Sequence, residues 1–203
     1  MAFTLHTFIL LLTILVSANA FKKPSLLAKM SFSPYLCKHN NEFYRFFSHL
    51  LIHADLQHLA FNMFSFYFLG SYLEQLLMVE YGVFKGEIYF LILYIFGGFF
   101  ATLLPYIRNQ NNQSYQSLGA SGAVSAVVFA FVMWNPMADL IVLVFPMKAW
   151  LFGILFFVYE YWAMKKGQTG IAHDAHIGGA LFGILFVLLI NSEKGKDLLN
   201  TFL

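Results

Sequence analysis

Six apolar stretches, five of them free of Asp, Glu, Lys and Arg, constrain this chain more than anything else in it. They run at about Phe3 to Ala20, Leu56 to Leu73, Ile88 to Leu104, Leu118 to Trp134, Leu140 to Tyr159 and Ala175 to Asn191. The fifth is interrupted by Pro146 and Lys148, so its spanning part is expected from about Met147 to Ala163, with LIVLVF lying near the interface. Each is roughly 17 to 20 residues, enough for a helix to cross about 30 Å of hydrocarbon. Lipid offers the backbone no hydrogen-bonding partners, and the runs do not alternate as barrel strands do. The expectation is therefore an all-α polytopic membrane protein of six transmembrane helices. Composition agrees: 60% of the 203 residues are hydrophobic, 19% aromatic and 11% charged, with a mean hydropathy of +0.68.

The chain reads as one domain, 1–203, without an internal repeat. Its longest polar connection, residues 21–52, mixes Lys22, Lys23, Lys29, Lys38, Glu42 and Arg45 with aromatics and leucines. That mixture predicts a folded, interfacial first loop. SANA at 17–20 resembles a signal-peptidase site, but no Lys or Arg precedes the apolar core, so the first segment is read as a retained helix. A net charge of +2 with scattered basic residues argues against a nucleic-acid partner. Cys37 is the single cysteine, without a visible activating context. No cofactor is implied and no metal is expected: HExxH is absent, and His53 and His58 point about 140° apart on a helix.

Polar residues inside spans are costly and usually face a cavity or each other. Four stand out: His58, Asn62, Ser121 and His176. His58 and Asn62, four apart in HLAFN, share a helix face and are suited either to stabilise an oxyanion or to tie helices together. Ser121 lies in Gly119-Ala120-Ser121-Gly122, just after the polar loop NQNNQSYQS. Gly119 and Gly122 remove side chains on either side of it, leaving room for another backbone. His176 opens the last span, with Gly179 and Gly183 on its face as a GxxxG pair that lets two helices approach closely. If the partner is the helix starting at Ser121, the imidazole comes within reach of the hydroxyl. Histidine is the usual base for activating serine. The glycines alone are better explained by packing, which does not account for the histidine.

HxxxN in the second span, GxSG opening the fourth and AHxxGxxxG in the sixth resemble the rhomboid family of intramembrane serine proteases, in the same order. Glu42-Phe43-Tyr44-Arg45 is similar to that family's first-loop motif, with Tyr44 where Trp is usual, and His49 and His53 also resemble family positions. The resemblance implies a six-helix rhomboid-like bundle with a partly membrane-embedded first loop whose fold Glu42 and Arg45 fix. It further implies that Ser121 attacks a peptide carbonyl in a transmembrane protein substrate within the lipid bilayer, with His176 as base. The Ser121 backbone N–H, His58 and Asn62 would hold the oxyanion, with Gly119 as the motif glycine. The family's machinery is a Ser–His dyad, so Asp174 is read as a loop or cap carboxylate, His173 as a loop residue, and Glu74, Glu80 and Glu160 as structural. Gate and cap functions would fall to the fifth helix, with Trp150, Phe157 and Trp162 as candidates, and to the loop before the sixth. The alternative is a catalytically inactive, derlin-like member that binds membrane clients. Family topology places eight Lys and Arg outside and four inside, opposite to the positive-inside tendency. A compact core without an Arg-rich presequence suggests a prokaryotic plasma membrane.

Overall fold

The structure, a computed structural model, describes residues 4–142, 144–166 and 172–200. It is mostly helical. Helix α1 (Leu5–Phe21) starts at Thr4, whose hydroxyl accepts from the Thr7 N–H. The first loop folds into α2 (Pro24–Met30), α3 (Pro34–Asn40), α4 (Arg45–Ser48) and a 3-10 turn at His49–Leu51. Pro24 and Pro34 open α2 and α3, where a missing N–H costs nothing. Asp55 caps α5 (Leu56–Ser65) by accepting from the His58 N–H at 2.7 Å. A π turn at Phe66–Gly70 joins α5 to α6 (Ser71–Tyr81). The carbonyl of Phe66 lies 3.1 Å from His6 Nε2, and buried Glu74 accepts from the His6 N–H at 2.8 Å. These contacts tie α1 to the second helical segment.

Gly82, at φ +83°, breaks the chain before α7 (Val83–Asn109). Helix α8 (Ser121–Trp134) is the centre of the molecule: every residue from Gly122 to Trp134 is buried. Around it lie α7, α9 (Ala149–Lys166) and α10 (His173–Ile190), with α11 (Glu193–Asn200) following. The outer faces carry large exposed apolar side chains, among them Leu15, Phe61, Phe68, Val158 and Leu189, an apolar exterior suited to lipid.

The all-α expectation needs one correction. Two short strands, β1 (Asp139–Val142) and β2 (Phe145–Lys148), pair antiparallel with Asp139 opposite Lys148, so that Met147 and Lys148 precede the helix instead of opening it. The run is rich in β-branched residues and Pro146 lacks the N–H that a helix interior needs, so the short segment extends instead of coiling. The six-span count is not carried by helix length: among the described residues, Val83–Asn109 and His173–Ile190 are long and apolar enough to cross a bilayer, while Leu5–Phe21 and Ser121–Trp134 are apolar but shorter. Glu160, Lys165 and Lys166 interrupt the apolar character of α9, and the π turn divides the second segment.

Candidate active site

The first loop is held by one guanidinium. Arg45 lies 2.6 and 2.7 Å from Glu42 Oε2 through Nη2 and Nε, and its Nη1 donates to the carbonyls of Ala28 and Ser31. Arg45 is buried, and its hydrogen bonds hold the Glu42 carboxyl below the usual range. Cys37 is fully buried nearby, and burial pushes its thiol up to about 11, unsuited to nucleophilic work. The loop reaches the GASG segment through a backbone pair: Phe32 N–H donates to the Ser117 carbonyl at 2.8 Å, and Ser117 N–H returns the bond at 3.0 Å.

Two histidines then fix the next residues. Gly119 N–H donates to the His49 carbonyl at 3.0 Å, and Ala120 N–H donates to His53 Nε2 at 3.3 Å. Nδ1 of His53 faces Ser17 Oγ on α1 at 3.0 Å, and that hydroxyl donates to the Leu51 carbonyl. Burial lowers His53 to about 3 and His49 to about 4, so both rings are neutral at ordinary pH. A neutral ring is what allows His53 Nε2 to accept. Gly119 has φ +118°, and a Cβ there would strike the His58 ring, so both conformation and space require glycine.

Ser121 is thereby delivered to the first turn of α8. N–H groups in that turn have no acceptor within the helix and carry the positive end of its dipole. Ser121, His176, His58 and Asn62 all line one cavity of about 920 Å³. Asn62 uses one amide hydrogen on the His58 carbonyl at 3.0 Å. The His58 and His53 rings meet in a T-shaped arrangement, 78° apart with centroids at 5.0 Å. Among the described residues, no hydrogen bond joins Ser121 to His176; the two share the cavity without direct contact of that kind.

Helix α10 reaches α8 at the two glycines of its GxxxG pair. A Cβ on Gly179 would strike the Gly122 carbonyl, and one on Gly183 the Ala126 carbonyl; Gly122 itself faces Ala101 of α7. This close approach brings the start of α10 alongside Ser121.

His173 lies on a helix instead of in the expected loop, and Glu160 and Asp174 have partners that the chain's order does not reveal. His173 is a buried member of α10, and its Nδ1 lies 2.6 Å from Glu160 Oε2. Glu160 is 6% exposed, and its Oε1 lies 3.1 Å from Nδ1 of His176. Sequence reading missed this carboxylate because α9 and α10 are separate in the chain; a charge among the apolar residues of α9 was the available signal. These three side chains offer potential ligand atoms within 4.8 Å of one another, and two His–Glu hydrogen bonds join the same three residues. Asp174 instead pairs with Arg108 at 3.4 Å and accepts from the Ala175 N–H. Helix α9 walls the cavity with Phe152, Phe156 and Glu160. Trp150, Phe157 and Trp162 are not among the lining residues: Phe157 packs on Phe129 and Trp162 points outward. Residues 167–171 of the expected cap loop lie outside the described residues.

The rhomboid domain matches residues 40–193. This chain therefore belongs to the rhomboid family. It is 30% identical over 141 residues to RHOMBOID-like protein 12, mitochondrial, of Arabidopsis thaliana, covering 63% of this chain and 40% of that protein. It is 30% identical over 139 residues to the Presenilin-associated rhomboid-like protein, mitochondrial, of Homo sapiens, covering 66% and 35%. A third relative, RHOMBOID-like protein 1 of Arabidopsis thaliana, is 31% identical over 169 residues, covering 77% and 37%. The aligned part is thus 35% to 40% of each relative's length. The expected prokaryotic plasma membrane is overturned, because these relatives are plant and animal proteins and two are named mitochondrial. A lipid-embedded core obeys the same physics in every bilayer, so its composition does not report which membrane holds it.

Proposed function

We propose that this protein is an intramembrane serine protease that cleaves transmembrane protein substrates, with six helical spans forming its core. The observation that carries the reading is the shared cavity: Ser121, at the first turn of a buried helix, opens onto the same space as His176, His58 and Asn62. Helix α8 has 14 residues, about 21 Å at 1.5 Å per residue, which is shorter than the hydrocarbon layer, so at least one of its ends lies below the lipid surface. The open cavity lined by the Tyr115–Leu118 segment and Ser121 supports the N-terminus as that end.

In the reaction, the Ser121 hydroxyl forms a bond to the scissile carbonyl carbon while its proton passes to His176 Nε2. The carbonyl π electrons move to oxygen, where the Ser121 N–H, His58 and Asn62 donate hydrogen bonds to the oxyanion. Collapse of the intermediate breaks the C–N bond, and His176 gives its proton to the departing amine. Water then attacks the acyl-enzyme by the reverse sequence of proton transfers. Catalytic hydrogen bonds are often long before substrate binds, which reconciles the missing Ser121–His176 bond with this chemistry. The relatives' names favour a mitochondrial membrane.

The same missing bond favours a second reading, an inactive client-binding member. Purified protein in detergent distinguishes them. Wild type is expected to cleave a single-span model substrate, and Ser121→Ala and His176→Ala to abolish cleavage. Undiminished cleavage by Ser121→Ala, or none by wild type over a broad substrate panel, rejects the protease assignment.

A further inference from the structure

Glu160 is a buried carboxylate on α9 that the serine–histidine chemistry leaves unused. Each of its oxygens faces a different ring: Oε1 meets Nδ1 of His176 at 3.1 Å, and Oε2 meets Nδ1 of His173 at 2.6 Å. The rings stand nearly perpendicular, 83° apart with centroids at 6.1 Å, so the carboxylate is clasped between them. An ionised carboxylate can only accept hydrogen bonds. Satisfying both bonds therefore puts the hydrogen on Nδ1 of each imidazole. For His176 this leaves Nε2 unprotonated, the form required of a base toward Ser121.

Resting on the protease reading above, we propose that Glu160 is a positioning residue, held by His173, that selects the tautomer and orientation of His176. This extends a two-residue dyad into a carboxylate–histidine–serine arrangement assembled across α8, α9 and α10. When His176 takes the serine proton, both ring nitrogens carry hydrogen and the positive charge develops 3.1 Å from Glu160 Oε1. The carboxylate stabilises that charge without taking the proton itself. His173 supplies the second constraint, since a carboxylate engaged at Oε2 cannot rotate away from His176. The proposal also explains why a costly acidic group is buried here: it has a hydrogen-bonding partner on each oxygen.

The test compares the full chain in detergent as wild type, Glu160→Gln, Glu160→Asp and Ser121→Ala. The readouts are kcat and KM on a single-span substrate, the rate of Ser121 labelling by a fluorophosphonate, and the thermal midpoint. Gln keeps the shape and can still bond both rings, but it lacks the charge and can donate to Nδ1. Expected for Glu160→Gln is a fall in kcat on the order of 10²- to 10⁴-fold, with KM within about twofold. The midpoint should remain within a few degrees of wild type, and Glu160→Asp should recover part of kcat and of labelling. Glu160→Gln with wild-type kcat and labelling overturns the positioning role while leaving the protease reading intact. So does a loss of activity that only tracks the folded fraction, with no rescue by Asp. A wild type that neither cleaves nor labels, or a Ser121→Ala that cleaves normally, overturns the protease reading and this role together.

Discussion

The N–H of Ala120 donates to Nε2 of His53 at 3.3 Å, one residue before Ser121. The far side of the same ring meets Ser17, so α1 is linked through a single imidazole to the backbone that presents the serine. Ser17→Ala leaves His53 Nδ1 without that partner. A loss of about 1 to 3 kcal/mol is expected, read as a lower thermal midpoint in detergent. His53→Leu should cost more, because the Ala120 N–H is orphaned as well.

On the protease reading proposed above, oxyanion stabilisation would be shared among several donors. Asn62→Ala should reduce kcat without abolishing cleavage, since one such donor contributes roughly 2.7 to 4 kcal/mol at most. Steady-state kinetics check this: an unchanged kcat would remove Asn62 from the site.

The approach of α10 to α8 leaves no volume at Gly179 or Gly183. Gly183→Val forces its side chain into the Ala126 carbonyl and must push the helices apart. A cost of about 1 to 3 kcal/mol or more is expected, with activity falling in step, because α10 also carries His176. Thermal unfolding and cleavage assays on the same sample read both effects.

Arg45 makes hydrogen bonds to one carboxylate and two carbonyls that lysine's ammonium cannot reproduce in the same plane. Arg45→Lys should therefore destabilise the first loop, and because Phe32 pairs with Ser117 the disturbance should reach the GASG segment. Increased proteolytic nicking between residues 22 and 45 would register it; wild-type resistance would count against the coupling.

Acid should destabilise the fold in two stages. The folded-state values of His49 and His53, about 4 and about 3, lie below the ordinary 6.5. Between 6.5 and those values the unfolded chain binds more protons, so stability falls as pH drops. Glu42 is also lowered, by its bonds to Arg45, and its contribution is present above the ordinary 4.5 and lost as pH falls further through its folded value. A thermal midpoint that declines from pH 7 to 5 and more steeply below 4.5 is expected. His53→Leu should flatten the first stage.

Much of the architecture was legible in the chain because lipid imposes a local rule. A segment that cannot bond its backbone to solvent must coil, and helices lie where the apolar runs are, from Leu5 to Ile190. The paired strands Asp139–Val142 and Phe145–Lys148 escaped that rule: the run is too short to span, and β-branched residues with Pro146 favour extended pairing. Among the candidate residues, Ser121, His176, His58 and Asn62, which share one cavity, could be picked out because polar groups in apolar spans are individually conspicuous. Glu160 and His173 could not be assigned, because their meaning lies in a contact between two helices.

Sequence by itself determined the helical class, the family and the candidate polar residues, since each follows from short-range pattern and spacing. Only the tertiary structure decided which groups meet. Gly179 and Gly183 draw α10 against α8, Ser17 reaches His53 from the first helix, and Glu160 is clasped by two rings. The physical reason is that close packing and hydrogen bonding between distant segments depend on positions in space, and one-dimensional periodicity specifies a helix's face without naming the side chain that will face it.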